Sequence, residues 1–465
     1  MKETLDYKEL RSIFDQQPLF ENKTWQLSSE PWSLSREKID EIGRIGDACL
    51  EFYKALETLY TRSAKHRKIL RNRDLKTPWV STYFDRGKPS KLINHSRSRC
   101  TRGSLPPVIR PDLLITEEGF ILTEMDTVPG GIGLTAFLNR LYENEQNKVV
   151  GENDAMILGF YKALTSIYPK NGLPLIGIIV SDEAQTYRPE MEWLADALQK
   201  MGKRVYCFHP SDLMPLGKTV CASIDGNPEQ VDILYRFWEL FDLANIPVAE
   251  YLLEALEEAE LVVTPPMRHF QEEKLSLALF HHHLLEDFWG ENLRRTAFDT
   301  LKRIIPRSWI MDQVELPPSA ILDAPYIGGK PIWCWEQLGE ASQKDRNYII
   351  KMSGYNELAW GARSVVLGTD SPRNEWSGGI KNALDQSGTN LHILQDYHKP
   401  KRLEHPIYQD NSGLSVQEGR VRLNPFFFVW EGKAHLCGIL NTFCPADKKI
   451  IHGMKDAALL PCRYD

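Results

Sequence analysis

Apolar and polar residues alternate along two neighbouring stretches early in the chain, Arg110–Ile115 and Phe120–Asp126. Alternation with a period of two is typical of strands that bury one face. The residues between them, Glu117-Glu118-Gly119, are turn formers, and glycine supplies the left-handed conformation that tight hairpin loops need. We therefore predict a hairpin with a loop of three residues.

A three-residue loop fixes which side chains share a face of this hairpin. Asp112 then lies opposite Glu124 and Arg110 lies opposite Asp126, so all four charged side chains point to one side. A loop of two or four residues would place Asp112 on the other side from Glu124. Like charges opposite each other repel, and Mg²⁺, which takes one or two carboxylates, removes the repulsion. A solvated acidic face is an equally weighted alternative on the charges alone.

The segment after the last carboxylate favours a bound anion. It reads VPGGIG and brings Gly130 and Gly131 to the start of a predicted helix. Free backbone N–H groups at a glycine-rich turn and a helix N-terminus bind anions. Because this turn directly follows three carboxylates, we favour a metal site over a solvated acidic face.

The middle of the chain has the pattern of a parallel sheet. Leu175–Val180 is continuously apolar, as in strands buried on both faces, and a helix predicted for Arg188–Met201 leads to a strand at Val205–Phe208. This is a βαβ unit with a right-handed crossover. Val231–Tyr235 and Leu261–Val263 are predicted to be further strands of the same sheet.

Two groups of polar residues are candidates for substrate contact. Ligands bind at the ends of parallel strands, which gives Ser181, Asp182, Glu183 and Arg236, with a structural ion pair as an equal alternative for Arg236. Residues 76–109 have the composition of a loop, and the basic run within them is typical of a segment that covers an anionic ligand. Its candidates are Arg97 and Arg99, with a solvated loop as the alternative.

Two strands in the last third of the chain predict a nucleotide site. Asn347–Ser353 carries a single lysine, Lys351, and residues 353–362 have the pattern of a flap that closes over phosphates. Leu391–Asp396 is a short apolar strand, and we expect it to be an edge strand whose backbone contacts adenine. A further hairpin, 420–440, carries Arg422.

Composition narrows the class of protein. With 465 residues, 42% of them hydrophobic and 26% charged, the chain has the material of about two to four soluble globular domains. A net charge of −7 argues against a nucleic-acid binder. Eight scattered cysteines without a CxxC pair disfavour zinc and a disulfide framework. No signal peptide or membrane span of roughly 18 apolar residues is visible, so we expect a cytoplasmic protein without a membrane partner.

These pieces resemble the ATP-grasp superfamily in the circularly permuted arrangement of the glutathionylspermidine synthase-like group. RPDLLITEEGFILTEMDTVPGG is similar to the metal-binding segment of that group, and NYIIKMSGYNELAWGARSVV to its lysine strand and phosphate flap. LHILQDYHKP is similar to its adenine-contacting strand, and VDILYRFWE with LVVTPP to the domain before the clamp. The carboxylates precede the lysine, which is the permuted order. Met352 stands where the family usually has proline.

The resemblance implies roles for particular residues. Magnesium would be bound by Asp112, Glu124 and Asp126. ATP would be contacted by Lys351, Ser353, Gly354, Gln395, Asp396 and Tyr397, with Lys302 as a weaker second lysine. The candidates for substrate contact, which come from their positions in the chain and not from the resemblance, are Arg97, Arg99, Gly130, Gly131, Ser181, Arg236 and Arg422. Arg110, by its predicted side of the hairpin, would steady the transferred phosphoryl group.

The implied fold is mixed α/β, an ATP-grasp-like nucleotide clamp with a Rossmann-like parallel-sheet domain and a helical N-terminal region. The expected divisions are 1–75 (helical), 76–150 (metal-binding hairpin and helix), 151–290 (Rossmann-like) and 291–465 (nucleotide-binding). The implied function is an ATP- and magnesium-dependent ligase that joins a small-molecule carboxylate to an amine through an acyl phosphate, with a homodimer left open. The alternatives are a catalytically silent nucleotide-binding scaffold and a phosphotransferase.

Overall fold

The computed structural model describes residues 5–21, 23–170, 172–255, 261–313, 323–361, 363–409, 413–448, 450, 451, 453 and 455–465. The α-helices are α1 (Tyr7–Asp15), α2 (Arg36–Ala64), α3 (Pro78–Asp85), α4 (Ser90–Arg97), α5 (Ile132–Tyr142), α6 (Ala155–Ser166), α7 (Arg188–Lys200), α8 (Ala249–Ala255), α9 (Leu275–His281), α10 (Glu286–Asn292), α11 (Arg295–Ile304), α12 (Trp335–Glu340) and α13 (Arg373–Asp385). The strands are β1 (Thr24–Gln26), β2 (Trp32–Leu34), β3 (Val108–Thr116), β4 (Gly119–Asp126), β5 (Ile176–Val180), β6 (Val205–Phe208), β7 (Met214–Leu216), β8 (Thr219–Ile224), β9 (Asn227–Gln230), β10 (Ile233–Phe237), β11 (Val262–Thr264), β12 (Ser308–Met311), β13 (Tyr326–Ile327), β14 (Lys330–Pro331), β15 (Tyr348–Met352), β16 (Val366–Leu367), β17 (His392–Asp396), β18 (Arg402–Gln409), β19 (Gly413–Trp430), β20 (Lys433–Pro445) and β21 (Lys455–Tyr464). The predicted mixed α/β class is confirmed. In the described part of the chain, no helix has the length and apolarity needed to cross a membrane.

The chain folds into two compact units, each assembled from separate stretches of sequence. Unit 1 contains Met1–Leu50, Ser104–Pro266 and Pro400–Asp465, and unit 2 contains Glu51–Gly103 and Met267–Lys399. The predicted metal-binding hairpin belongs to unit 1 and the predicted lysine strand to unit 2. The candidate residues therefore divide between the two units.

A large sheet forms the core of unit 1. Its strand order is β1-β21-β20-β19-β3-β4, with β18 added to β19 and β2 added to β21. The long strands β19 and β20 bury apolar side chains along their length, among them Phe426, Phe427, Ile439 and Phe443. The short strands β1 and β2 lie in the region predicted to be helical, where three residues are too few to show a period of two.

The hairpin formed by β3 and β4 has the predicted pairing at its charged residues, but its loop and the pairing next to the loop differ from the prediction, which placed Thr116 opposite Phe120. Thr116 pairs with Gly119, so two residues join the strands and not three. A bulge beyond Leu113 and Leu122 leaves Thr123 as an extra residue on β4. The extra residue makes up for the shorter loop. Asp112 therefore pairs with Glu124, and Arg110 with Asp126, as predicted.

The second sheet of unit 1 is the predicted parallel sheet. Its order is β11-β10-β5-β6, and all three pairs of strands are parallel. All five residues of β5 are buried, as its continuous apolar sequence predicts, and α7 connects β5 to β6. A small antiparallel sheet, β7-β8-β9, follows β6 and was not predicted. Its outer strands are short and largely exposed, so they lack a buried face that a hydrophobic pattern would reveal.

Unit 2 is built on an antiparallel sheet of order β12-β17-β15-β16. One face of this sheet packs on α12 and α13 through a cluster that includes Ile350, Leu394, Trp335 and Trp376. β17 lies between β12 and β15, so the expectation that it is an edge strand is wrong. Its sequence is apolar because both neighbours and the helices cover it.

The prediction that residues 76–109 form a loop is wrong for two segments. Helices α3 and α4 occupy about half of this range, with Pro78 in the first turn of α3. Val80, Phe84 and Leu92 are fully buried and hold the helices in the core of unit 2. The prolines, glycines and arginines that suggested a loop lie mainly in the turns before, between and after these helices.

Candidate functional site

Arg110 joins two of the three predicted metal ligands in unit 1. Its Nε lies 3.1 Å from Oδ1 of Asp112, and its Nη2 lies 3.1 Å from Oδ2 of Asp126. Its Nη1 donates to the carbonyl oxygen of Gly130 at 3.0 Å. The guanidinium thus links the hairpin to the glycine-rich turn that follows it. All of these side chains are at least four-fifths buried, where a charge-assisted hydrogen bond is strong.

The neighbouring strand β19 supplies two further partners for Asp112. Nη1 of Arg422 lies 3.2 Å from Oδ2 of Asp112, and Nδ2 of Asn424 donates to Oδ1 at 2.5 Å. Arg422 was predicted as a substrate contact, whereas Asn424 was not predicted at all. Asn424 could have been predicted, because it lies two residues after Arg422 and side chains two apart on a strand face the same side.

The carboxylates on this face differ in their tendency to lose a proton. Burial alone would raise the pKa of Asp112, but the guanidinium groups of Arg110 and Arg422 outweigh it and hold that pKa below the ordinary value. Burial and the Glu124 carboxylate together raise the pKa of Asp126 above its ordinary value, despite the lowering effect of Arg110. Asp112 is therefore a compensated charge, whereas Asp126 and Glu124 repel each other.

The different surroundings of Asp112, Glu124 and Asp126 determine which of these carboxylates are suited to bind magnesium. In the described part of the chain, no three histidine, cysteine, aspartate or glutamate side chains converge as a metal-binding group. The Asp112 carboxylate contacts two guanidinium groups and an amide, so it suits a cation poorly. Glu124 and Asp126 are the better match, because a divalent cation beside them would relieve the repulsion that raises the pKa of Asp126.

The helix N-terminus after the glycine turn is already occupied by the carboxyl group of Glu190 of α7. The backbone N–H groups of Gly131 and Leu134 donate to its two carboxylate oxygens at 2.7 and 3.0 Å. Burial nevertheless raises the pKa of Glu190 to about 7. The expectation that the Gly131 N–H binds a substrate anion is therefore wrong. No local pattern reveals this contact, since Glu190 lies 59 residues along the chain from Gly131.

The glycines of this turn allow α5 and α7 to approach closely. A Cβ on Gly133 would lie 2.1 Å from the carbonyl oxygen of Glu190, and one on Gly130 would lie 2.2 Å from the ring of Tyr187. Gly131 adopts a φ of 93°, which side chains rarely tolerate. The glycine run that resembles an anion-binding turn thus serves packing against α7.

In unit 2, Lys351 lies in a chain of buried hydrogen bonds across three strands. Its Nζ donates to Oε1 of Gln395 at 2.8 Å, and Nε2 of Gln395 donates to Oγ of Ser308 at 3.0 Å. Lys351 and Gln395, predicted to act on the same nucleotide, are thus in direct contact. Ser308, on β12, was not predicted.

A cavity of about 340 Å³ opens at the end of this sheet. It is lined by Tyr326, Gly328, Gly329, Lys344, Asp345, Asn347, Tyr348, Asp396, Tyr397 and His398. Two of the predicted adenine contacts, Asp396 and Tyr397, are among these residues. Their backbone N–H groups donate within the protein, to Arg307 and Asn347, so they are not free for an adenine. Burial raises the pKa of Asp396 to about 6, against the lowering effect of Arg307.

The start of the predicted flap is fixed to α9. Ser353 Oγ contacts the carboxylate of Glu273 and accepts from the Leu275 N–H at 2.9 Å. Glu273 also forms a buried ion pair with Lys88 at 2.5 Å. Gly354 lies against this segment, since a Cβ there would be 3.0 Å from the Glu272 carbonyl oxygen. These contacts give Ser353 and Gly354 a structural role. Ala362, the last residue of the predicted flap, lies outside the described residues.

The other predicted residues lie apart from these sets. Arg236 is fully buried in unit 1 and donates to the carbonyl oxygens of Trp238, Pro265 and Pro266, so its substrate role has no support and a structural one fits. Ser181, just after β5, is buried, and its Oγ has no hydrogen-bond partner among the described residues. Lys302 is exposed on α11 and pairs with Glu286 at 2.9 Å. Arg97 contacts Asp85 in unit 2, and Arg99 is exposed.

Comparison with known proteins gives a likeness of fold. No protein-family model matches the chain, and no curated protein sequence matches it. A solved structure of a glutathione synthetase-like effector (GSS30) from Globodera pallida, in the apo form, is similar over 94% of this chain and 90% of that one, with a TM-score of 0.54 and 12% identity. A putative gamma-glutamylcysteine synthetase from Methylobacillus flagellatus KT is similar over 88% and 87%, with a TM-score of 0.41 and 12% identity. The chain therefore shares the overall fold of the glutathione synthetase-like effector.

Proposed function

We propose that this protein is an ATP- and magnesium-dependent ligase that joins a small-molecule carboxylate to an amine. The observation that carries the proposal is the contact of Lys351 with Gln395 on the sheet that ends at a 340 Å³ cavity. A cavity of this volume is within the range of roughly 300–1,000 Å³ that small-molecule sites occupy. The fold shared with a protein described as glutathione synthetase-like is the reason for choosing a ligase.

Unit 2 is the proposed nucleotide-binding part. Lys351 would neutralise phosphate oxygens, and Oε1 of Gln395 orients its ammonium group by accepting a hydrogen bond from it. Asp396 and Tyr397 would contact the base or the ribose from the wall of the cavity. Because the Asp396 and Tyr397 N–H groups already donate to carbonyl oxygens of the protein, these two residues would contact the nucleotide through their side chains or carbonyl oxygens.

Unit 1 supplies the proposed charges for phosphoryl transfer. Glu124 and Asp126 would hold Mg²⁺, which neutralises phosphate charge when bound. Arg110 and Arg422 are positioned by Asp112, which contacts both guanidiniums. An arginine that is held in place before the reaction stabilises developing charge without the cost of reorganisation. Asp112 would thus act mainly as a positioning residue.

The proposed reaction has two steps. A carboxylate oxygen of the acid attacks the γ-phosphorus of ATP, and the bond from that phosphorus to the β,γ-bridging oxygen breaks, which gives an acyl phosphate and ADP. The amine nitrogen then attacks the acyl carbon and loses a proton, and the carbon–oxygen bond to phosphate breaks. The products are an amide and inorganic phosphate.

The arrangement of Asp112 also favours a second candidate, a nucleotide-binding protein without catalysis. Two arginines already neutralise much of the hairpin's negative charge, so the face is stable without a metal. A protein that binds nucleotide without catalysis would need no metal, and arginines could then neutralise the carboxylates in its place. A phosphotransferase, the third candidate, has no separate observation in its favour.

Incubation of the protein with MgATP and panels of candidate acids and amines distinguishes these functions. Amide formation with one ADP per bond supports the ligase. ADP with a phosphorylated acceptor and no amide supports the phosphotransferase. MgATP binding without turnover across the panels supports the silent protein. The matched variants are Lys351→Met, which removes the proposed phosphate contact, and Lys344→Met, which alters the cavity wall and keeps Lys351.

A further inference from the structure

We propose that unit 2 contains a second ligand site, separate from the nucleotide cavity, which binds the dianionic phosphate group of a small molecule or free phosphate. The site is a small cavity where the last turns of α2 and α4 come together. Its walls include Tyr60, Lys65, Ser96, Arg97, Arg102 and Arg268. Four of these side chains are cations, and the proposal does not depend on the ligase function.

Of the four cationic side chains that line this cavity, two have an acidic partner. Arg97 contacts Asp85, and Nη1 of Arg268 lies 2.5 Å from Oε2 of Glu57. Lys65 and Arg102 form no ion pair with any residue that the structure describes. Burial and the charges of Arg102 and Arg67 lower the pKa of Lys65 and outweigh the raising effect of Glu57. The unbalanced charge of two cations matches a phosphate dianion better than a monoanionic carboxylate.

Helix dipoles account for only part of this arrangement. A cation at a helix C-terminus is stabilised by the helix dipole, which explains one basic residue at the end of α2 and one at the end of α4. Arg62 and Arg97 fill those positions, and Lys65 follows the last residue of α2. Arg102 and Arg268 are outside both helices and add charge that the dipoles do not require.

One buried donor on the wall remains unused. Arg268 is 1% exposed, and its Nη1 and Nη2 donate to the carbonyl oxygens of Thr101 and Ser96. Its Nε has no hydrogen-bond partner in the described part of the chain. A buried N–H without a partner costs free energy, and an oxyanion or a water in the cavity could satisfy it.

The remaining wall is held rigid by a hydrogen-bond chain. Nδ1 of His269 lies 2.9 Å from Oγ of Ser96, and its Nε2 lies 2.9 Å from Oδ1 of Asp85. The Tyr60 hydroxyl donates to the same Asp85 oxygen at 2.7 Å. Burial lowers the pKa of His269 despite the Asp85 carboxylate, so the ring adds no charge at neutral pH. A wall that is fixed before binding reduces the entropic cost of holding a ligand.

The cavity has the size of one small oxyanion. Its volume is about 40 Å³, whereas one water needs roughly 10–15 Å³ on the same measure. A phosphate or carboxylate group fits, and a nucleotide base does not. Lys65 and Arg102 are exposed at its edge, so an organic phosphate can enter by its phosphate end.

Calorimetric titration with inorganic phosphate, methyl phosphate and acetate, at constant ionic strength set with chloride, tests the site. We expect saturable binding of phosphate and a dissociation constant about tenfold or more higher in Lys65→Ala/Arg102→Ala, since the variant lacks two charged hydrogen-bond donors to the dianion. Lys65→Arg/Arg102→Lys, which keeps both charges, should retain binding. Arg295→Ala, an exposed arginine on α11 of the same unit, is the matched control.

Each outcome decides the proposal. Binding of methyl phosphate as tight as that of phosphate identifies a phosphomonoester site, and binding of phosphate alone identifies a site for the free ion. Acetate binding equal to phosphate binding, or no heat beyond that of chloride, overturns the proposal, as does unchanged binding in the double alanine variant. Lys351→Met should keep the phosphate signal, so a failure of the ligase proposal does not affect this one. Should the double variant fail to fold, the single alanine variants give the same test.

Discussion

Asp112 lies directly opposite Glu124 across the β3–β4 hairpin, although only two residues join the strands. The bulge at Thr123 restores the pairing that the short loop would otherwise shift. It places both carboxylates on the face that carries Arg110 and Asp126. The charge balance of this face is the first property that substitutions can test.

Replacing Arg110 with methionine should strongly destabilise the protein. Asp112 and Asp126 would each lose a buried cationic partner, and breaking a buried ion pair costs about 3–5 kcal/mol. The free energy of unfolding in urea measures this. Arg402→Met, in an exposed pair with Glu418, is the control and should change that free energy by less than about 1 kcal/mol. A similar small change in Arg110→Met would contradict the proposed bridging role.

Asp112→Asn should strongly reduce turnover in a protein that still folds, although the loss of its buried charge also lowers the free energy of unfolding. The amide keeps the shape of the side chain but no longer fixes Arg110 and Arg422 by charge. Loss of one preorganised electrostatic partner reduces a rate by about 10²–10³-fold. ADP release from MgATP reports the rate, and circular dichroism reports the fold. Glu117→Gln, at an exposed position of the hairpin loop, is the control. An unchanged rate in Asp112→Asn would remove Asp112 from the site.

Gln395→Glu should weaken nucleotide binding. A carboxylate at this position would pair with Lys351 and take the charge proposed for ATP phosphates. Because charged hydrogen bonds are worth about 1.5–3 kcal/mol, we expect the dissociation constant for MgATP to rise about tenfold or more. Gln386→Glu, an exposed change at the end of α13, is the control. Equal affinity in Gln395→Glu and the wild-type protein would show that Lys351 does not bind phosphates.

Glu190 should make stability fall as the pH rises from about 4.5 to about 7. Burial raises its pKa from 4.5 to about 7, so the folded state binds this proton more tightly than the unfolded state. Its contribution is fully present below the unfolded pKa and is lost as the pH rises through the folded pKa. Urea unfolding across this range measures the slope. Glu190→Gln should remove this component, and Glu192→Gln, at an exposed neighbouring position, should keep it. An identical slope in Glu190→Gln would contradict the burial effect.

The parts of the fold that could be predicted are those with a strong hydrophobic pattern. The apolar run at β5, the amphipathic helix α7 and the strand that carries Lys351 are found within one residue of their predicted bounds. The hairpin pairing was also correct at Asp112, but its loop was not, because a bulge leaves no trace in the alternation of residues. The small sheet of β7, β8 and β9 was missed for lack of a buried outer face.

Contacts between distant residues account for most of what could not be predicted about the candidate site. Glu190 occupies the helix N-terminus that the glycine turn seemed to offer to a ligand. β12 covers one edge of β17, which removes the free backbone expected for adenine. The basic run at 97–102 was correctly noted as charged, but the helices that precede it were hidden by its turn-forming neighbours.

Calorimetric titration of MgATP into the wild-type protein and Lys351→Met is the most direct test of the central claim that the Lys351–Gln395 sheet binds a nucleotide. We predict saturable binding to the wild-type protein and a loss of at least about tenfold in affinity in the variant, while Lys344→Met, on the cavity wall, retains measurable binding. Absence of MgATP binding to the wild-type protein, or equal binding to Lys351→Met, would contradict the account.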